Sequence, residues 1–346
     1  MIDLSKPIKL DRAGAWRTYS GGKLIDAIHG IENSTDTNFP EEWMISTVRA
    51  RNAGREDIVE GLSIVSGTDI SLADLIKENP EKLLGKKHIE KFGCNLGVLV
   101  KVLDAAERLT IQVHPTRAKA KELFDSDYGK TECWHIIGGR EIDGEKPSIY
   151  FGFKEGITKE YWKEVFNKQD ISAMLSCLHK FEVEKGDTYL IEGGIPHAIG
   201  AGCLLIEVQE PTDYTIRTER VTPKGLKVAD FMCHQGLGFE KMFDCFSYDG
   251  LSEEETQKRW KIKCENGDII SYNNTEMFAL KELILDGEEV LSSEGVFSGI
   301  YVLEGKGFVG DEPVCGGSQF FIGASCEDFT IKGKMKLIRF YGPKED

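Results

Sequence analysis

No two of the nine cysteines in this 346-residue chain stand in a CxxC pair; they are odd in number and widely spread. A disulfide scaffold and a cysteine-rich zinc finger are therefore disfavoured, and the thiols read as reduced. No apolar run reaches membrane-spanning length, and Met1-Ile2-Asp3-Leu4-Ser5-Lys6-Pro7 has neither the basic stretch nor the apolar core of a secretory signal. The expectation is a cytosolic protein with no membrane partner. Positive charge is also scarce: Lys and Arg number 43 against 58 Asp and Glu, a net charge of -15. That excess repels nucleic acid and anionic membranes over most of the surface. A small anionic substrate is still compatible with it where a few Lys or Arg gather locally.

What the chain has is period-two apolar patterning in short segments punctuated by Gly, as in Leu96 to Leu103 and Leu109 to Val113. Length and pattern together predict a mainly β protein of two domains. Helical spacing interrupts in two places. Ser71 is a candidate N-cap for a helical region running to Phe92, which Pro80 must break, and Thr158 caps a second region running to Leu178. The chain turns polar and acidic between Asp244 and Thr256, so the boundary is expected there, giving domains 1–245 and 246–346. Gly186 to His197, Gly299 to Val309 and Gly317 to Gly323 share a rhythm of turn, apolar strand and small-residue corner. Two successive jelly rolls, with helices inserted in the first, account for this weak repeat.

Only seven histidines are present. Residues two apart in a strand share a face, so Gln112 and His114 of Ile111-Gln112-Val113-His114-Pro115 point together while Ile111 and Val113 pack the other way. The same period puts Lys130, Glu132 and Trp134 on one face and His135 on the opposite one. His197 follows Pro196 at a Gly-rich corner, a rigid approach for an imidazole. Two imidazoles, a carboxylate and an amide oxygen suit zinc or another divalent first-row metal. Pattern alone also allows each to be an ordinary hydrogen-bonded residue.

Several strings in order resemble the type I mannose-6-phosphate isomerases, particularly their short bacterial form. They are Trp16 with Gly21-Gly22-Lys23-Leu24, Pro40 to Ser46, Leu99 to Glu107, Gln112 to Pro115, Gly129 to Trp134, Pro196-His197-Ala198, and Asp213 to Arg217. The resemblance implies a cupin fold, one zinc ion per chain on Gln112, His114, Glu132 and His197, and a small phosphorylated sugar as partner. It also implies that Lys130 and Arg217 line the active site and that Trp16 forms a pocket wall. Three departures stand out: Gly129 where longer members have histidine, Thr131 where they have proline, and Thr116-Arg117 in place of an acidic pair after His-Pro. Arg117 is thus expected at the pocket rim, where it leaves sugar preference open.

Both cations suit an anionic sugar, Arg as a planar fork and Lys as a compact charge. Gly129-Lys130-Thr131 imitates the end of a phosphate loop, but Phe124 stands where that motif needs Gly, so no nucleotide site is read. Asn33-Ser34-Thr35 and Asn273-Asn274-Thr275 are chance glycosylation matches. The expected reaction moves a proton between C1 and C2 of mannose 6-phosphate and fructose 6-phosphate. Arg217 stabilises developing negative charge, and Asp213, Glu207 and Lys130 stand as undecided candidates for the base. Two rival classes stay open, an iron-dependent cupin oxygenase and a non-catalytic sugar-phosphate binder. No histidine follows His234, so the C-terminal domain is read as metal-free and structural.

Overall fold

Alternation at period two becomes long antiparallel ladders in the computed structural model, which describes residues 2–52 and 54–346. Two compact units form. One comprises the chain as far as Arg17 with Gly22–Val102 and Cys264–Asp346; the other comprises Thr18–Gly21 and Leu103–Lys263.

In the first of these units the sheet runs in the order Ile8–Leu10, Gln319–Ile322, Ser298–Val309, Phe329–Tyr341, Ala279–Leu291, Asp268–Ile270, with Glu312–Cys315 paired to Ser298–Val309. Alternate residues such as Ile300 and Val302, Phe320 and Ile322, and Met335 and Leu337 turn to one side and make its core. The helices Leu72–Glu78, Pro80–Leu84 and Lys86–Phe92 belong here. Ser71 caps the first by accepting from Asp74 N–H, and Pro80 takes the first position of the second, where its missing N–H costs nothing.

The expected division at 245/246 is therefore not where the units part. Ile8 lies opposite Phe321, so the N-terminal segment completes a sheet made by C-terminal strands, and the helices of 72–92 accompany it. Pairing across some 300 residues leaves no local period, which is why the reading missed it.

The second unit holds two antiparallel sheets. One runs Ile216–Arg217, Gln112–Val113, His197–Ile199, Ser148–Phe153, Leu178–Glu182; the other, within this unit, runs Lys261–Ile262, Thr188–Ile191, Glu132–Gly139, Cys203–Gln209. Trp134, Ile136, Phe151, Tyr189 and Leu205 join in one core cluster. The predicted helical region opens at Thr158, whose side chain accepts from Tyr161 N–H. It divides at Gln169, a left-handed residue (φ 50), into Lys159–Lys168 and Ile171–Ser176. Trp162, Val165 and Phe166 bury its apolar stripe. Among the described residues no helix is long and apolar enough to cross a membrane.

Candidate metal centre

Gln112 is the pivot of the smaller sheet's register. Arg217 lies opposite it on one side and His197 opposite it on the other. Directly opposed residues of antiparallel strands project to one face, so Arg217, Gln112 and His197 stand abreast. His114 follows two residues after Gln112 and rejoins that face. In the other sheet Glu132 and Trp134 alternate as predicted: Trp134 Nε1 donates to Glu132 Oε2 at 3.1 Å, while His135 turns away to meet Thr188 Oγ1 at 2.9 Å.

The ligand atoms of His114, Glu132 and His197 lie within 4.8 Å of one another, and all three residues are buried. Both rings are oriented through the main chain. His114 Nδ1 is 2.9 Å from Tyr214 O, and His197 Nδ1 is 2.8 Å from Ile195 O, so each Nδ1–H donates to a carbonyl and each Nε2 presents a lone pair inward. Those two Nε2 atoms are 3.2 Å apart. Burial lowers the pKa of both rings, that of His197 to about 3, so the imidazoles are neutral and their lone pairs oppose each other. Burial pushes the Glu132 carboxyl up, but the Lys130 ammonium beside it acts against this, and the group is held well below its usual range. Glu132 Oε1 receives no well-formed hydrogen bond, although Lys130 Nζ is 2.8 Å away and His114 Nε2 3.2 Å away. Two facing neutral nitrogens beside an ionised oxygen are a donor set that a divalent cation satisfies.

Main-chain contacts fix the corner that carries His114. Gly194 N–H donates to His114 O at 2.7 Å. A Cβ on Gly193 would meet Thr116 N at 2.6 Å, and one on Gly129 would meet Pro115 O at 2.7 Å, so both glycines are there for close approach of backbone to backbone.

The other predicted residues fall in different places. Lys130 is buried, with Nζ also 3.4 Å from Thr215 Oγ1. Arg217 Nη1 donates to Thr215 O at 3.2 Å and Met232 O at 3.1 Å, which fixes its guanidinium. Glu207, opposite Trp134 in register, is buried with Oε2 accepting from Trp134 Nε1 at 3.2 Å. One indole N–H thereby spaces two carboxylates on one face. Asp213 is exposed. Trp16 belongs to the other unit, where the Arg55 guanidinium lies 5.1 Å over its ring. Arg117 is engaged with Glu210 at 2.6 Å and does not present a free rim charge. Glu210 and the orienting carbonyl of Tyr214 went unread in the sequence, since neither an acid at a strand end nor a main-chain oxygen carries a motif.

Comparison with known proteins matches residues 24–132 to the catalytic domain of type I phosphomannose isomerase and residues 268–342 to the cupin domain of mannose-6-phosphate isomerase. The chain is 30% identical over 342 residues to GmuF, a probable mannose-6-phosphate isomerase of Bacillus subtilis, covering 97% of this chain and 99% of that one. The fold is shared with a mannose 6-phosphate isomerase structure from Bacillus subtilis (TM-score 0.72, 24% identity, 97% and 99% coverage). It is shared too with the apo enzyme of Salmonella typhimurium (TM-score 0.73, 16% identity, 98% and 99% coverage). With a full-length relative at that identity and both family regions present in order, the chain belongs to the type I mannose-6-phosphate isomerase family.

Proposed function

We propose that this protein interconverts mannose 6-phosphate and fructose 6-phosphate, with zinc held by Gln112, His114, Glu132 and His197. The observation that carries this reading is the facing pair of neutral, main-chain-oriented imidazoles at 3.2 Å beside a buried ionised carboxylate. Gln112 joins the set through its register with His197. Such a cation, when bound, supplies Lewis-acid polarisation of a sugar oxygen.

The reaction takes a proton from C2 of the aldose and places one on C1, while a hydroxyl proton passes between the two oxygens. Midway, negative charge is spread over those oxygens. Arg217, abreast of Gln112 and tied to two carbonyls, sets a fixed positive charge near that region without needing to reorganise. Lys130 brings a second cation to the Glu132 face. Of the three candidates for moving the carbon-bound proton, Glu207 is favoured here. It is buried, shares the Trp134 indole N–H with Glu132 and so faces the same space, whereas Asp213 is exposed.

The test is a coupled assay of fructose 6-phosphate formation on the full chain before chelation, after it, and with zinc restored. Activity should vanish on chelation and return with zinc. In Arg217→Ala, kcat should fall by about 10²–10³. Activity absent in every metal condition, or oxygen uptake in its place, would defeat the proposal; an unchanged kcat in the variant would remove Arg217 from the mechanism.

A further inference from the structure

Glu210 lies one residue past the Cys203–Gln209 strand and is fully buried. A carboxylate cut off from water has to be met by donors. Two donors from separate segments do so: Arg117 Nε reaches Oε1 at 2.6 Å, and Thr131 N–H reaches Oε2 at 2.9 Å. Glu210 N–H in turn donates to Thr131 O at 3.0 Å, so residue 131 is held by both main chain and side chain.

The positions of those partners matter. Arg117 opens the helix Arg117–Phe124 three residues after His114, and Thr131 sits between Lys130 and Glu132. One buried carboxylate thus ties the segment bearing His114 to the segment bearing Lys130 and Glu132. Lys130 N–H closes the same joint by donating to Pro115 O at 3.2 Å, and the Arg117 guanidinium also lies 5.8 Å over the Tyr128 ring.

We infer that Arg117 and Glu210 are positioning residues for the cation site, setting the distance between its histidine side and its carboxylate side. The inference rests on reading that site as cation-binding. Partners that orient metal ligands without touching the metal typically govern affinity by about 10- to 100-fold. Glu210→Gln keeps the shape but gives the amide only one accepting oxygen. Its NH2 then faces either Arg117 Nε–H or Thr131 N–H, donor against donor, and the tie opens on one side. Arg117→Ala leaves the buried charge with a single donor. Arg117→Lys returns the charge without the planar fork, so it should restore only part of the effect.

Zinc affinity of the full chain, measured by competition with a chromophoric chelator, tests this in wild type and the three variants. The dissociation constant should rise about 10- to 100-fold in Arg117→Ala and Glu210→Gln, with Arg117→Lys between them and wild type. Affinities within about twofold of wild type in folded Arg117→Ala and Glu210→Gln would overturn the inference, because a residue that only supports the fold moves Tm and not the ion. Should Glu210→Gln not fold, Arg117→Ala decides, its altered side chain being 39% exposed. A wild type that binds zinc but leaves mannose 6-phosphate unchanged defeats the proposed reaction and not this inference. An active wild type whose variants bind zinc equally well defeats this inference and not the reaction. A wild type that binds no zinc overturns both.

Discussion

Adding one methyl group at Gly129 should disable the site through main-chain crowding alone. Gly129 lies outside the left-handed region, so alanine there brings no backbone strain and the effect is purely steric. Its Cβ would stand 2.7 Å from Pro115 O, 2.8 Å from Arg117 N and 2.9 Å from Thr116 C, all main-chain atoms that no rotamer change can move. Restoring ordinary contact at about 3.4–3.5 Å requires the corner to give by roughly 0.7 Å. That corner is crowded from Gly193 as well, where a Cβ would meet the same Pro115 O at 2.7 Å. Overpacking of this kind costs about 1–3 kcal/mol, and His114 precedes Pro115 directly. Since a misplacement of about 1 Å can cost on the order of 10²-fold in rate, a loss of about 10- to 10²-fold in kcat is expected for Gly129→Ala. Tm should drop alongside, and Gly193→Ala should behave alike. The coupled isomerase assay with a thermal melt reads both quantities. A variant with the wild-type kcat and Tm would show that the corner yields freely and that close approach does not fix His114.

Two further outcomes follow from named groups. Glu207→Gln should lower kcat by about 10²–10⁴ with KM little altered, because the amide keeps the Trp134 hydrogen bond but carries no proton between carbons; continued solvent-hydrogen exchange at C2 at the wild-type rate would acquit Glu207. Burial holds His88 below its ordinary 6.5, so on acidification through that value the unfolded chain binds a proton that the folded chain refuses, and stability falls. Glu345, 3.6 Å from His88 Nδ1, is raised by burial and works in the opposite direction above 4.5. Denaturant stability should therefore decline less between about pH 7.5 and 5.5 in His88→Gln than in wild type, and equal slopes would contradict the assignment.

The parts of the site legible in the sequence were those governed by a short period. Gln112 with His114, and Glu132 with Trp134, are each two apart in a strand, and the alternation that put His135 on the far face is the one the structure has. The helix at Thr158 was equally visible, through its cap and its apolar stripe. What escaped depends on partners distant in sequence. Ile8 paired with Phe321, and Arg117 with Glu210 across 93 residues, leave no trace in either segment alone. Arg117 illustrates the difference: its type and place after His-Pro suggested a charge at the rim, but a buried carboxylate just past a strand distant in sequence claims it.

The charge balance of the centre connects this geometry to the acidity of the whole chain. With a net charge of -15, the protein repels a sugar phosphate over most of its surface, so a local surplus of positive charge has to be built where the substrate docks. The side chains alone do not build one. Lys130 and Arg217 are countered in formal charge by Glu132 and Glu207, which leaves the group neutral. A divalent ion on the proposed ligands changes that balance to two positive charges, in a setting where burial keeps them from being screened. On the proposed reading, then, the ion governs attraction of the anionic sugar as well as its chemistry. The joint formed by Arg117, Glu210 and Thr131 acts on both at once, because it fixes how far the carboxylate side of the centre stands from the histidine side.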